Sequence, residues 1–147
     1  MAARVEFYVL EEPSAKARLR LACRLAEEAY LAGQKVLIWN PDAAELGRLD
    51  ELLWTFADGS FVPHETLPSA NAQPDVPVLL SAGTDPQGTI DLLINLGTEL
   101  PACHAHVERL ADVIDGDESR RRAGRDRFRA YREMGLQPET HKVTAGG

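Results

Sequence analysis

The side chains equipped for chemistry are few and scattered along this chain. Cys103-His104-Ala105-His106 gathers one thiol and two imidazoles at a spacing that invites zinc. A closed zinc site takes four ligands, and no second pair stands at ligand spacing, so no metal is expected. Ser14, Ser60, Ser69, Ser81 and Ser119 all lack the G-x-S-x-G surroundings of a nucleophile elbow. Cys23 falls inside a helical pattern, where a buried, inert thiol is the expected outcome. His64 follows a proline in an apolar segment; it is a candidate base, or a packing or interface residue with no identified partner. No catalytic residue is assigned, and a small nucleotide-binding or hydrolytic α/β enzyme stands as the alternative reading.

Binding chemistry is better represented. From Glu118 to Glu133 seven arginines face three acids, a net charge of +4, while the whole chain carries −7 and everything else therefore −11. At about 100° per residue, Arg121, Arg125, Phe128 and Arg132 fall in one stripe with Arg129 at its margin. Ala123, Ala130, Tyr131 and Met134 fall on the opposite side, which is expected to face the core. An aromatic ring among arginines suits a ligand that is acidic and apolar together, such as a peptide with aspartates, a Phe and a free carboxylate. Arginine forks grip a carboxylate with two hydrogen bonds. The plainer reading is that Phe128 packs on a neighbour and the arginines are solvated; the sequence leaves both open.

A second cluster is Leu52-Leu-Trp-Thr-Phe56 followed by Phe61-Val-Pro-His64. Trp54 and Phe56, two apart on a helix, do not both face the core. Exposed aromatics beside a proline suit an interface anchor, and a small internal core closing a sheet edge fits equally.

The elements that position these groups alternate. Val5–Leu10 reads as a strand, Ser14 caps a helix that Gly33 stops, and Lys35–Trp39 is a buried strand. Asp42 caps a second helix through Trp54. Ser60–His64 is an edge or loop segment because of Pro63, and 65–77 is a proline-rich loop. Val76–Leu80 and Asp91–Leu96 read as strands, His104–Leu110 as a short helix, Asp112–Ile114 as a last strand, and Asp117–Gly135 as a long terminal helix. The pattern predicts an α/β three-layer sandwich on a mainly parallel sheet, with one domain over 1–137 and a flexible tail over 138–147.

Folds of this class take nucleotides where the first strand meets the first helix. That turn, Glu11-Glu-Pro-Ser-Ala-Lys16, has no glycine and two carboxylates, and neither G-x-G-x-x-G nor a Walker pattern occurs. The topology is thus Rossmann-like without a phosphate-binding loop, and no cofactor is expected. A hydrophobic fraction of 44% over 147 residues fits a globular chain. No stretch approaches the roughly 20 apolar residues of a membrane span. The opening runs directly into a strand pattern without a signal segment, so the chain is expected to stay in the cytoplasm, with its two cysteines reduced.

Several segments, in order and at compatible spacing, resemble the chi subunit of bacterial DNA polymerase III. They are Phe7-Tyr-Val-Leu10, Gly33-Gln-Lys-Val-Leu37, Leu49-Asp-Glu-Leu-Leu-Trp54 with Ser60-Phe-Val-Pro-His64, Asp91-Leu-Leu-Ile-Asn-Leu96, and Arg127-Phe-Arg-Ala-Tyr-Arg132 before Gly135. The resemblance implies a non-catalytic subunit at the replication fork, linking the clamp loader through psi to the C-terminal tail of single-stranded-DNA-binding protein. It places tail binding on Arg121, Arg125, Phe128, Arg129 and Arg132. Phe128 and Arg129 stand where the family often has Tyr or Lys. It places psi, or in some bacteria a helicase-like protein, on Trp54, Phe61, Val62, Pro63 and His64. DNA would be reached mainly indirectly, since −11 outside the last helix repels phosphates.

Overall fold

The computed structural model describes residues 4–59, 61–69, 75–101, 103–104 and 107–144. Among them run β1 (Arg4–Leu10), α1 (Ala15–Leu31), β2 (Val36–Trp39), α2 (Ala43–Thr55), β3 (His64–Leu67), β4 (Val78–Ser81), β5 (Ile90–Asn95), β6 (Val107–Ile114), α3 (Glu118–Glu133) and β7 (Glu139–Val143). The strands make one sheet in the order β3-β4-β2-β5-β6-β1-β7. Every neighbouring pair is parallel, as the alternation of strands and helices predicts.

Each helix starts on a side-chain cap that satisfies an otherwise unpaired amide. Ser14 Oγ accepts from the Ala17 amide at 3.1 Å, Asp42 Oδ1 from Ala44 at 3.0 Å, and Asp117 Oδ2 from Arg120 at 2.9 Å. At the far end of α3, Gly135 turns into the left-handed region (φ +87°), which lets the Leu136 amide bond back to Tyr131 O at 3.0 Å.

Strand alternation sorts the apolar residues onto two faces. Val36, Ile38, Leu80, Ile94 and Val113 meet Leu21, Leu25, Leu49 and Leu53 of α1 and α2. Leu37, Leu79, Leu93, Leu110 and Phe7 point the other way, where Tyr131 and Phe128 of α3 pack. Three layers result, and the central strands, buried on both faces, read as unbroken apolar runs.

Three sequence expectations are corrected. The short helix over His104–Leu110 does not form: Val107–Ile114 is one strand, and residues 105 and 106 lie outside the described residues. Within that strand the charged Arg109 is neutralised across the sheet by Glu6 of β1. The expected frayed tail after Pro138 instead supplies β7, which pairs with β1 from Glu6↔Glu139 to Leu10↔Val143; His141 stacks on Tyr8 with ring centroids 5.0 Å apart. The proline-rich loop also begins later than expected, because the edge strand β3 takes His64–Leu67.

The chain leaves β1 toward the α1 face and leaves β6 toward the α3 face, so the carboxyl ends of these neighbours form the topological switch point. The crevice there is shut. The Gly116 amide donates to Glu12 O at 2.9 Å, and a Cβ on Gly116 would lie 2.2 Å from Glu11 O.

Candidate functional site

With the switch point closed, a cavity of about 560 Å³ opens beside it, between α3 and the β1–β7 edge. Phe7 and Val9 of β1, Ile114 of β6 and Phe128 of α3 make its apolar wall. The Phe7 and Phe128 rings are 5.4 Å apart and tilted by 52°. Gly124 brings α3 close to the sheet here: a Cβ would lie 2.3 Å from Ile114 Cδ1.

Charge surrounds this wall unevenly. Among the described residues, Arg121, Arg125 and Lys142 line the cavity against one acid, Glu11. Arg121 is partly committed, its Nη2 donating to Glu11 O at 3.1 Å and its Nε to Asp115 O at 3.4 Å. Arg125 is exposed and has no ion-pair or hydrogen-bond partner among the described residues. Of the five residues of the arginine stripe, the cavity therefore brings together Arg121, Arg125 and Phe128. Arg129 pairs with Asp126 on the outer side of the helix, and neither it nor Arg132 lines the cavity. Thr140 and Lys142 come from β7, which sequence reasoning had assigned to the tail.

The core-facing side of α3 is also corrected. Gly124, Arg127 and Tyr131 are its buried residues, whereas Met134 is exposed. Arg127 Nε donates to Asp112 Oδ1 at 3.0 Å and Tyr131 Oη to Asp112 Oδ2 at 3.0 Å. Asn95 Nδ2 adds a third donor at 2.9 Å. Burial pushes the Asp112 carboxyl up, against the pull of Arg127, Tyr131 and Asn95.

The second cluster also divides into surface and core. Trp54 and Phe61 are exposed at 51% and 60%, with ring centroids 5.3 Å apart. Behind them His64 lies 4.7 Å from the indole. Its Nδ1 meets Val62 O at 2.7 Å, and its Nε2 meets Asp50 O at 3.1 Å and the Asp50 carboxylate at 3.0 Å. Val62 is fully buried in the core, so it supports this face without forming part of its surface; Pro63 is half-buried. His64 thus has both packing and polar partners among the described residues.

The two cysteines and a convergence of acids with a histidine are the other reactive groups among the described residues. Burial pushes the Cys23 thiol up to about 12 and raises Cys103 as well, which disfavours the reactive thiolate. Glu6, Glu139 and His141 converge closely enough to suggest a cation site. Glu6 is already bound by Arg109 and by Arg4 at 3.4 Å, so guanidinium groups supply the positive charge. Among the described residues no helix is long and apolar enough to cross a membrane.

An all-parallel α/β sandwich with a shut switch point and a cationic, apolar surface cavity defines a class of fold rather than a reaction. Two solved structures share that fold. The C-terminal domain of S. cerevisiae Dbp5, solved with Gle1 and IP6, superposes with a TM-score of 0.60 at 14% identity, covering 99% of this chain and 92% of that one. A DEAD box protein from Methanococcus jannaschii gives 0.58 at 15% identity, covering 95% of this chain and 42% of that one. Within this class the chain belongs to the DNA polymerase III chi subunit family (HolC), whose model matches residues 2–139. The DNA polymerase III subunit chi of Pseudomonas aeruginosa is 39% identical over 140 residues, 95% of this chain and 96% of that protein. Those of Haemophilus influenzae and Escherichia coli are 31% and 30% identical, covering 97% and 91% of this chain and 99% and 94% of their own lengths.

Proposed function

We propose that this chain is a non-catalytic tether that holds the polymerase assembly to protein-coated single-stranded DNA. It would bind the C-terminal tail of single-stranded-DNA-binding protein at the α3–β7 cavity, and psi, or a helicase-like protein, at the Trp54–Phe61 face. The observation that carries the first contact is Arg125, an arginine without a partner among the described residues at the rim of a cavity walled by Phe7 and Phe128. A terminal Phe seats its ring against those two. Its carboxylate meets the Arg125 fork, and preceding aspartates meet Arg121 and Lys142. The second contact is supported by two exposed aromatic rings packed on a histidine whose side chain is buried, the anchor type that dominates many interfaces. Modest affinity per tail suffices, because several tails on one coat raise the effective concentration.

The test is fluorescence anisotropy with a labelled peptide of aspartates ending in Phe with a free carboxylate. Saturable binding that weakens with salt, and that disappears when the terminal Phe is removed, is expected. No binding at high micromolar protein overturns the reading. A rise in melting temperature with nucleotide, in place of peptide binding, would favour the enzyme alternative.

A further inference from the structure

The helix that carries the cavity arginines is poorly supplied with apolar anchors. Tyr131 is fully buried and Phe128 half-buried, while the other buried positions are Gly124 and, unusually, Arg127. Apolar contact is non-directional, so two rings alone define the rotation of a helix only loosely. Directional contacts are supplied from below. Asp112 sits at 0% exposure in β6, and both of its oxygens accept from α3, one from Arg127 and one from Tyr131. These donors are one helical turn apart, so together they oppose both sliding and rotation.

The base of this contact is itself fixed. Asn95 of β5, also 0% exposed, donates to Asp112 at 2.9 Å while its Oδ1 accepts from the Gly97 amide at 3.0 Å. Arg127 Nη1 reaches Thr98 O at 2.7 Å. A buried ion pair of this kind contributes little net stability against an apolar substitute, and its use lies in selecting one arrangement.

We infer that Asp112 is a positioning residue for the cavity, setting the rotation of α3 through Arg127 and Tyr131 so that Arg121, Arg125 and Phe128 face the β1–β7 edge. This rests on the tail-binding reading above. Those three lie about 60–120° further round the helix than Tyr131. A side chain about 6 Å from the helix axis moves ~2 Å for a 20° rotation, more than a hydrogen bond tolerates.

The test compares wild type with Tyr131→Phe and Asp112→Asn at a temperature where urea denaturation shows each protein fully folded. Two readouts are taken: affinity for the aspartate–Phe peptide by anisotropy, and the orientation of α3 by crystallography or residual dipolar couplings. Peptide binding weakened about fivefold or more in a folded variant, with α3 displaced, is expected. A purely structural role would lower stability and leave the affinity of the folded fraction unchanged, and that result overturns the inference. Should Asp112→Asn fail to fold, Tyr131→Phe decides. If wild type does not bind the peptide, the tail-binding reading fails by itself; an unmoved α3 in the variants would then overturn positioning too, and a displaced one would retain it.

Discussion

Phe7 and Phe128, from the second-last strand of the sheet and the last helix, meet at 5.4 Å and form one wall of the cavity. Each ring serves packing and binding together, and the two roles separate by substitution. Phe128→Ala is expected to cost about 1–3 kcal/mol of stability, below the full-burial value because the ring is half-buried. It should also weaken peptide binding roughly tenfold or more. Phe128→Tyr keeps the ring and should stay within about threefold of wild type, because a hydroxyl at an open cavity reaches water without desolvation cost. Urea denaturation and anisotropy on the same samples check both.

Arg125 should separate binding from folding. It has no partner among the described residues to lose, so Arg125→Ala is expected to leave stability within about 0.5 kcal/mol of wild type. The lost charge-assisted pair should weaken peptide binding roughly ten- to a hundredfold. Arg129→Ala, which removes only an exposed pair with Asp126, should change peptide affinity little and serves as the charge-matched control.

At the closed switch point, Gly116→Ala has no room. Its methyl would meet backbone, Glu11 O at 2.2 Å and the Glu12 carbonyl carbon at 2.8 Å, so the β1 and β6 ends must part. The expected cost is about 1–3 kcal/mol, read as a lower urea midpoint.

Glu6 sets a pH dependence. Burial opposes its ionisation, but Arg109, Arg4 and His141 overcome this and hold the carboxyl below its usual range. A depressed folded-state value means stability that is present above the unfolded value of about 4 and lost as pH falls through the folded one. Asp115 behaves alike: burial opposes its ionisation, and Arg120 outweighs it. Glu6→Gln should therefore lose less stability than wild type between pH 6 and pH 3, measured by urea denaturation at each pH.

On the opposite edge, Phe61→Ala should change stability by no more than about 1 kcal/mol, because the ring is 60% exposed. It is expected to weaken psi binding by about 2 kcal/mol while leaving peptide affinity unchanged. Calorimetry with psi and anisotropy with the peptide report the two faces independently.

The layers were legible because strands such as Val36–Trp39 and Ile90–Asn95, buried on both faces, carry continuous apolar runs, and because Ser14, Asp42 and Asp117 announce their helices. The face of α3 was less so. Placing Ala123, Ala130, Tyr131 and Met134 inward rotates the helix by roughly 60° from its true seat. The cause is Arg127: burying an arginine needs Asp112 and Asn95 in place beneath it, and no local pattern announces partners 15 and 32 residues away. β7 was hidden for a similar reason. Glu139-Thr-His-Lys-Val143 is polar by itself and becomes a strand through Tyr8 and Glu6, far off in sequence. With β7 unseen, Lys142 was missed as the cavity's third cation.

The central claim is that the acidic, apolar tail seats between α3 and β7. The most direct measurement is amide chemical-shift mapping of the labelled protein as the aspartate–Phe peptide is added. Saturable shifts gathered at Val9, Gly124, Arg125, Phe128 and Lys142, with Trp54 and Phe61 unmoved, are the expected result. Shifts centred on Trp54 and Phe61, or no shifts at saturating peptide, would contradict it.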